Sequence, residues 1–185
     1  MSLKVFACGD LVNFNANYDF VDKELQNIIQ SSDLSICNFE APISHDDMCG
    51  IKKAGPHVYQ SRKSVEILKN TGFNLVSLAN NHIYDYGQKG IEETIDVMDK
   101  YGIKHVGGGR SFEEAYQVEI VDINGIKVGF LAGCENEFGC LYEEQGRGGY
   151  AWIFHYNIED NVKHLKNTCD FVVLLAHAGV ENIEI

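Results

Sequence analysis

Four places in the sequence gather side chains able to do chemistry. Asp10 follows Gly9; Asn38 and Glu40 lie in NFEAPI; Asn81, His82 and Asp85 lie in SLANNHIYDYG, residues 77–87; His177 ends the apolar run FVVLLA. Carboxylate and amide oxygens with imidazole nitrogens are a donor set suited to Mn, Fe, Zn or Mg rather than to thiolate sites. Singly, each has a plain structural reading. Asp10 reads as a turn residue, Glu40 as solvent-facing, Asn80 or Asn81 as a helix N-cap, and His177 as a hydrogen-bonded core histidine. Jointly they read as a site, because each follows a stretch with the character of a strand, and sites in open α/β sheets form outside the carboxyl ends of the strands.

The elements that must position them follow from periodicity. Residues 3–8 (LKVFAC) read as a strand ended by Gly9-Asp10, 34–37 as a second, 74–79 as a third, 103–106 as a fourth and 171–176 as a late buried strand. Helical spacing covers 20–29, 61–71 with a serine cap and a glycine stop, 87–101 with Ile91, Ile95 and Met98 on one stripe, 111–116 and 157–167. Strands over 118–123 and 126–132 flank Asn124-Gly125, the dipeptide that favours a two-residue hairpin. Residues 41–60 and 133–155 read as long loops. The β-α alternation and near-continuous apolar strands predict an α/β layered domain with a largely parallel central sheet.

Composition narrows the function classes. The chain has 185 residues, enough for one domain with a real core, and a net charge of -12. That surface repels phosphate backbones and anionic lipid, so nucleic acid is a poor partner, and an anionic ligand would need local positive charge such as a bound metal ion. No stretch has the length of a membrane span and no signal peptide is evident. The six cysteines lack metal-type spacing and read as free thiols of a reducing compartment rather than disulfides. The expectation is a cytoplasmic chain, with cell-envelope association if an N-terminal anchor has been removed.

The motifs GDL at 9–11, NFEAPI at 38–43, SLANNHIYDYG at 77–87 and LAHAGVE at 175–181 resemble, in order, those of the CapA family of poly-γ-glutamate capsule biosynthesis proteins, which is similar to the calcineurin-like metallophosphoesterases. The resemblance spans nearly the whole chain. It implies a four-layer α/β/β/α sandwich with a two-metal cluster at one sheet edge, holding Mn, Fe or Zn. Asp10, Glu40, Asn81 and His177 match metal-ligand positions, His82 matches the histidine that faces the phosphate, and Asp85 is placed to orient it. Two such metals clamp a phosphoryl oxygen and generate a hydroxide nucleophile, while His82 protonates the leaving oxygen.

The chain departs from the pattern twice. Asp10 is followed by Leu11-Val12 rather than x-His, and no Gly-His-His-x-His segment follows His177. The expectation is therefore one metallophosphoesterase-type domain over 1–185, incomplete at its C-terminus, catalytic only as part of the full-length domain, with exposed core surface that a homodimer would cover. The substrate would be a small or polymeric anion. The alternative is a non-catalytic binding or assembly component for an anionic polymer, with a vestigial metal site. A nucleotide-binding reading of GGGR at 107–110 lacks both GxGxxG and the Walker lysine. His45 and His57 read as pocket-lining, His105 and His164 as structural or solvated, His155 as following an aromatic stretch that forms a hydrophobic clasp or a pocket wall, and Arg147 as a solvated loop residue in preference to an anion contact.

Overall fold

The computed structural model describes residues 2–143 and 146–179. Its first sheet has four parallel strands in chain order: β1 (Val5–Leu11), β2 (Leu34–Phe39), β3 (Leu75–Ser77) and β4 (Lys104–Val106). Parallel neighbours need crossovers, and three helices supply them: α1 (Lys23–Gln30), α2 (Arg62–Thr71) and α3 (Gly87–Tyr101). Their ends follow local chemistry. Asp22 caps α1 by accepting from the Leu25 N–H, Ser61 caps α2 from the Lys63 N–H, and left-handed Gly72 and Gly102 stop α2 and α3.

A second sheet contains β6 (Glu119–Ile123), β7 (Ile126–Cys134) and β10 (Phe171–His177), ordered β10-β7-β6, with β10 parallel and β6 antiparallel to β7. Asn124 and Gly125, both at positive φ, make the expected hairpin turn. Helix α5 (Tyr156–Thr168) packs on β7 and β10. Alternation along β7 separates two cores. Val128, Phe130, Ala132 and Cys134 join Phe39, Leu75, Val76 and the α1–α3 residues, whereas Leu131 joins Leu165 and Ile158 of α5. The order is thus helices, sheet, sheet, helix. A third, small sheet joins β5 (Gly108–Gly109), β9 (Gly149–Ala151) and β8 (Cys140–Leu141), with the short α4 (Phe112–Ala115) packed beside β5 and β9.

Four expectations need correction. The strands do not share one central sheet: they divide among separate sheets, and both edges of β7 are taken, by β10 and β6, so it cannot pair with β4. The 133–155 segment is not a plain loop, because it completes β7 and supplies β8 and β9. Gly9-Asp10 does not end β1: the strand runs on to Leu11, with its register to β2 shifting between Ala7 and Asp10. Coverage is uneven as well: β2 and β3 are almost wholly buried, while the edge strands β1 and β10 are largely open to solvent, Phe171 and Leu174 included. Among the described residues no helix is long and apolar enough to cross a membrane. All six cysteines are free.

Candidate metal centre

Asp10 lies near the carboxyl end of β1, Glu40 just past β2, and His177 at the end of β10. The irregularity in β1 brings Asp10 opposite Asn38, and a bulge of this kind re-aims a side chain. His177 Nδ1 lies 3.5 Å from Asp10 Oδ1 and 3.9 Å from Glu40 Oε2. One ligand-type atom from each of Asp10, Glu40 and His177 falls within 4.8 Å of the others. They line a cleft of about 500 Å³ shared with Asn81, His82, Cys134, Glu135 and Glu137. Burial pushes the Glu40 carboxyl above its usual range and the Asp10 charge adds to this, while His177, His82 and the Asn38 amide pull it back.

The centre of this group is held by Asn38. Its Nδ2 lies 2.6 Å from Asp10 Oδ1, 2.7 Å from Glu40 Oε2 and 3.2 Å from His177 Nδ1. In the tautomer that leaves His177 Nδ1 bare and able to bind a metal there, Nδ1 is an acceptor, so two amide hydrogens face three acceptors. Asn80 sets which end of the amide faces inward. Its Nδ2 donates to Asn38 Oδ1 at 3.2 Å and to the Phe39 carbonyl at 3.0 Å, and its Oδ1 accepts from the Ala41 N–H at 3.2 Å. Two carboxylates and an imidazole around one shared donor have acceptor capacity that a divalent cation would fill, so the residues present fit such an ion.

Behind His82 stands a second group. His82 Nδ1 is 2.7 Å from Asp85 Oδ2, and Lys53 Nζ pairs with Asp85 Oδ1 while lying 3.4 Å from His82 Nδ1. The Val58 N–H donates to Asp85 Oδ2 at 2.8 Å. The Asp85 side chain is fully buried and that of Lys53 only 4% exposed. Burial works to raise the Asp85 carboxyl, but hydrogen bonds from His82, Lys53 and Val58 outweigh it and hold the group below its ordinary value. The hydrogen bond to Asp85 raises His82, against opposing effects of burial and of the Lys53 charge.

Of the residues singled out in the sequence, Asp10, Glu40, Asn81, His82 and His177 share the cleft, and Asp85 lies behind it against His82. Asn81 Nδ2 donates to Glu137 Oε2 at 3.2 Å. Neither asparagine caps α3, which begins after Tyr86 with no side-chain cap. Of LAHAGVE, Val180 and Glu181 lie outside the described residues. The 107–110 segment offers no phosphate cradle: it forms β5, and Gly109 packs against the α4 backbone. Arg147 is half-buried rather than a free loop residue; its guanidinium donates to the carbonyls of Gly139, Gly148 and Cys140 and lies over the Tyr84 ring. His155 is buried among Phe112, Tyr116 and Tyr156, where its Nδ1 caps α5. His45 lines a separate cleft, and His57 bonds the Ile51 carbonyl at 2.7 Å.

Sequence reasoning missed Asn38 as the central donor, Lys53, and the pair Glu135 and Glu137. The glutamates had a signal: they follow the carboxyl end of β7, the same rule that found the others. Ending that strand at 132 instead of Cys134 concealed it. Lys53 had none, lying in a loop without periodicity.

The pattern of the family described as bacterial capsule synthesis protein PGA_cap matches residues 4–184. The capsule biosynthesis protein CapA of Bacillus anthracis is 29% identical over 170 residues, 88% of this chain and 41% of that protein. The PGA biosynthesis protein CapA of Bacillus subtilis (strain 168) is 28% identical over 168 residues, 88% of this chain and 43% of that one. The chain thus spans about two fifths of the length of these relatives. Among solved structures, a hypothetical protein from Thermus thermophilus matches with a TM-score of 0.56 at 17% identity, over 96% of this chain and 59% of the other. A Staphylococcus aureus protein described as "Putative 5'-Nucleotidase", in complex with alpha-ketoglutarate, matches with a TM-score of 0.57 at 14% identity, over 98% of this chain and 38% of the other. At these identities the likeness is one of fold alone.

Proposed function

This chain belongs to the PGA_cap family of bacterial capsule synthesis proteins, and from that premise we propose that it is a metal-dependent phosphoesterase-like hydrolase of poly-γ-glutamate capsule biosynthesis. The observation that carries the proposal is the meeting of Asp10, Glu40 and His177 from three strands of two sheets, beside His82, in one acidic cleft. Asp10, Glu40, Asn81 and His177 would hold Mn, Fe or Zn, with a second ion in the full-length protein. A bound divalent metal supplies Lewis-acid polarisation of a phosphoryl oxygen and of water.

The chain's own residues divide the remaining work. Glu40, nearly buried, gives a ligand carboxylate whose charge becomes stable once a cation faces it. Asn81 adds a neutral oxygen without adding negative charge. His82 Nδ1 is committed to Asp85, so Nε2 is the nitrogen left for the substrate, where a proton can be delivered to the leaving oxygen. The substrate is an anion, small or polymeric, drawn to an otherwise acidic surface by the metal charge.

The test uses the full-length protein. Wild type should bind Mn, Fe or Zn and hydrolyse an aryl phosphate, and Asn81→Ala or His177→Ala should lose metal. Unchanged metal content in both variants would sink the proposal. A second reading, a non-catalytic component that binds an anionic polymer, draws on one observation: the described residues contain a single cluster of three or more His, Cys, Asp or Glu donors. It predicts metal and polymer binding with no turnover by the full-length protein, and multiple turnovers would exclude it.

A further inference from the structure

The loop between β2 and α2 is fastened to Asp85 at three points. The Ile51 N–H donates to the Asp85 carbonyl at 2.9 Å, the Val58 N–H to Asp85 Oδ2 at 2.8 Å, and Lys53 Nζ to Asp85 Oδ1. His57 closes the neck of the loop on the Ile51 carbonyl. Lys53 therefore sits where the backbone on both sides is held, with its ammonium turned inward and nearly sealed from water. We infer that Lys53 is a positioning residue for His82, acting through Asp85 to fix which nitrogen of the imidazole faces the cleft.

Donor and acceptor capacity decides the orientation of the ring. A carboxylate only accepts and a lysine ammonium only donates. His82 Nδ1 has both within reach, Asp85 Oδ2 at 2.7 Å and Lys53 Nζ at 3.4 Å. With Nδ1 protonated, the ring bonds to Asp85 and presents Nε2 to the cleft with a free lone pair or a transferable proton. With Nδ1 bare, the ring would turn to Lys53 and forfeit the shorter contact. By engaging Oδ1, Lys53 leaves Oδ2 for His82 and Val58 and balances a carboxylate that has no access to water. Without Lys53, Asp85 would be a buried anion with one unpaired oxygen, free to rotate or to take up a proton. In either event the imidazole loses its fixed acceptor. Lys53 does not line the cleft, so its effect on any substrate runs through His82.

This inference rests on the reading of His82 as the group that meets the substrate, and the test separates the two. In the full-length protein, Lys53→Met should bind Mn as tightly as wild type, with kcat for an aryl phosphate reduced about 10–100-fold, the size seen for outer orienting partners, and KM changed little. In the metal-free protein, imidazole ¹⁵N shifts of His82 should move from one Nδ1–H tautomer toward a mixture. Lys53→Arg should recover most of both. If Lys53→Met fails to fold, Lys53→Gln takes its place in every arm. An unmoved tautomer pattern in a folded variant overturns the inference, as does a fall in kcat matched by loss of Mn. If wild type shows no turnover, the hydrolase reading fails, and the tautomer measurement still decides the role of Lys53.

Discussion

Asn80 and Asn38 are joined amide to amide, Nδ2 of Asn80 to Oδ1 of Asn38 at 3.2 Å, linking the segment just past β3 to its neighbour β2. The bond turns the Asn38 NH₂ group toward Asp10, Glu40 and His177. Asn80 is wholly buried and also holds Phe39 and Ala41, the latter in a left-handed conformation that a non-glycine residue seldom adopts. Asn80→Ala would orphan the Ala41 N–H in a dry site. The expected loss is about 1–3 kcal/mol, the cost of one unsatisfied buried polar group. Urea unfolding of wild type and variant measures it, and equal midpoints would show that Asn80 is not a clamp.

The same geometry sets a prediction for Asn38. In the metal-free protein its amide donates to both Asp10 and Glu40. Asn38→Ala should then destabilise the metal-free protein by about 1.5 kcal/mol, toward the lower end for bonds to charged groups because Asp10 is over half exposed. A divalent cation would take over the role of the lost donor, and ligands that bind only the native state raise its stability. The Tm increase on adding Mn should therefore be larger in Asn38→Ala than in wild type. A smaller increase would place Asn38 among the metal ligands instead.

What was legible in the sequence was local. Helix α3 matches its reading from end to end, because Ile91, Ile95 and Met98 form a stripe and Gly102 must stop it. The turn at Asn124-Gly125 needed only its own dipeptide. What failed was decided by distant chain. Strand β1 continues through Gly9-Asp10 because Asn38 and Phe39 pair with it. Strands β8 and β9 are two and three residues long and exist through pairing with each other and with β5, so no periodicity marks them. Lys53 is buried by a carboxylate 32 positions further on. That Asp10, Glu40, Asn81, His82 and His177 would meet was legible because a strand-end rule is topological, and the role of Asn38 as their shared donor was not, because it depends on which end of its amide Asn80 holds.

The two large sheets approach each other closely at Gly107. Its φ is +84°, and an added Cβ would lie 2.6 Å from the Cβ of Ala132 in β7 and 2.6 Å from that of Ala79, after β3. Gly107→Ala combines left-handed strain of about 1–2 kcal/mol with overpacking of about 1–3 kcal/mol. Gly125, at φ +86°, has open space around it, so Gly125→Ala should show the strain alone. Chemical denaturation should rank Gly107→Ala as the more destabilised of the two. The reverse order would mean that the sheets yield at this point.

His105, in the middle of β4, supplies a pH test away from the cleft. Burial lowers the pKa of its imidazole. The Asp99 and Glu114 charges work against this, while Arg110 works with it. Its Nε2 lies 3.7 Å from Asp99 Oδ1. The net result is a folded form that resists protonation more than the unfolded chain, where a histidine titrates near pH 6.5. The unfolded state then binds more protons as the pH drops through that value, so the His105 contribution is complete above it and declines below it. His105→Gln removes the group that titrates. The difference in unfolding free energy between wild type and His105→Gln should be flat above about pH 7.5 and turn against wild type toward pH 5, as followed by urea unfolding at each pH. A difference that instead grows in favour of wild type on acidification would mean that the Asp99 pair outweighs burial and that β4 carries a protonated histidine.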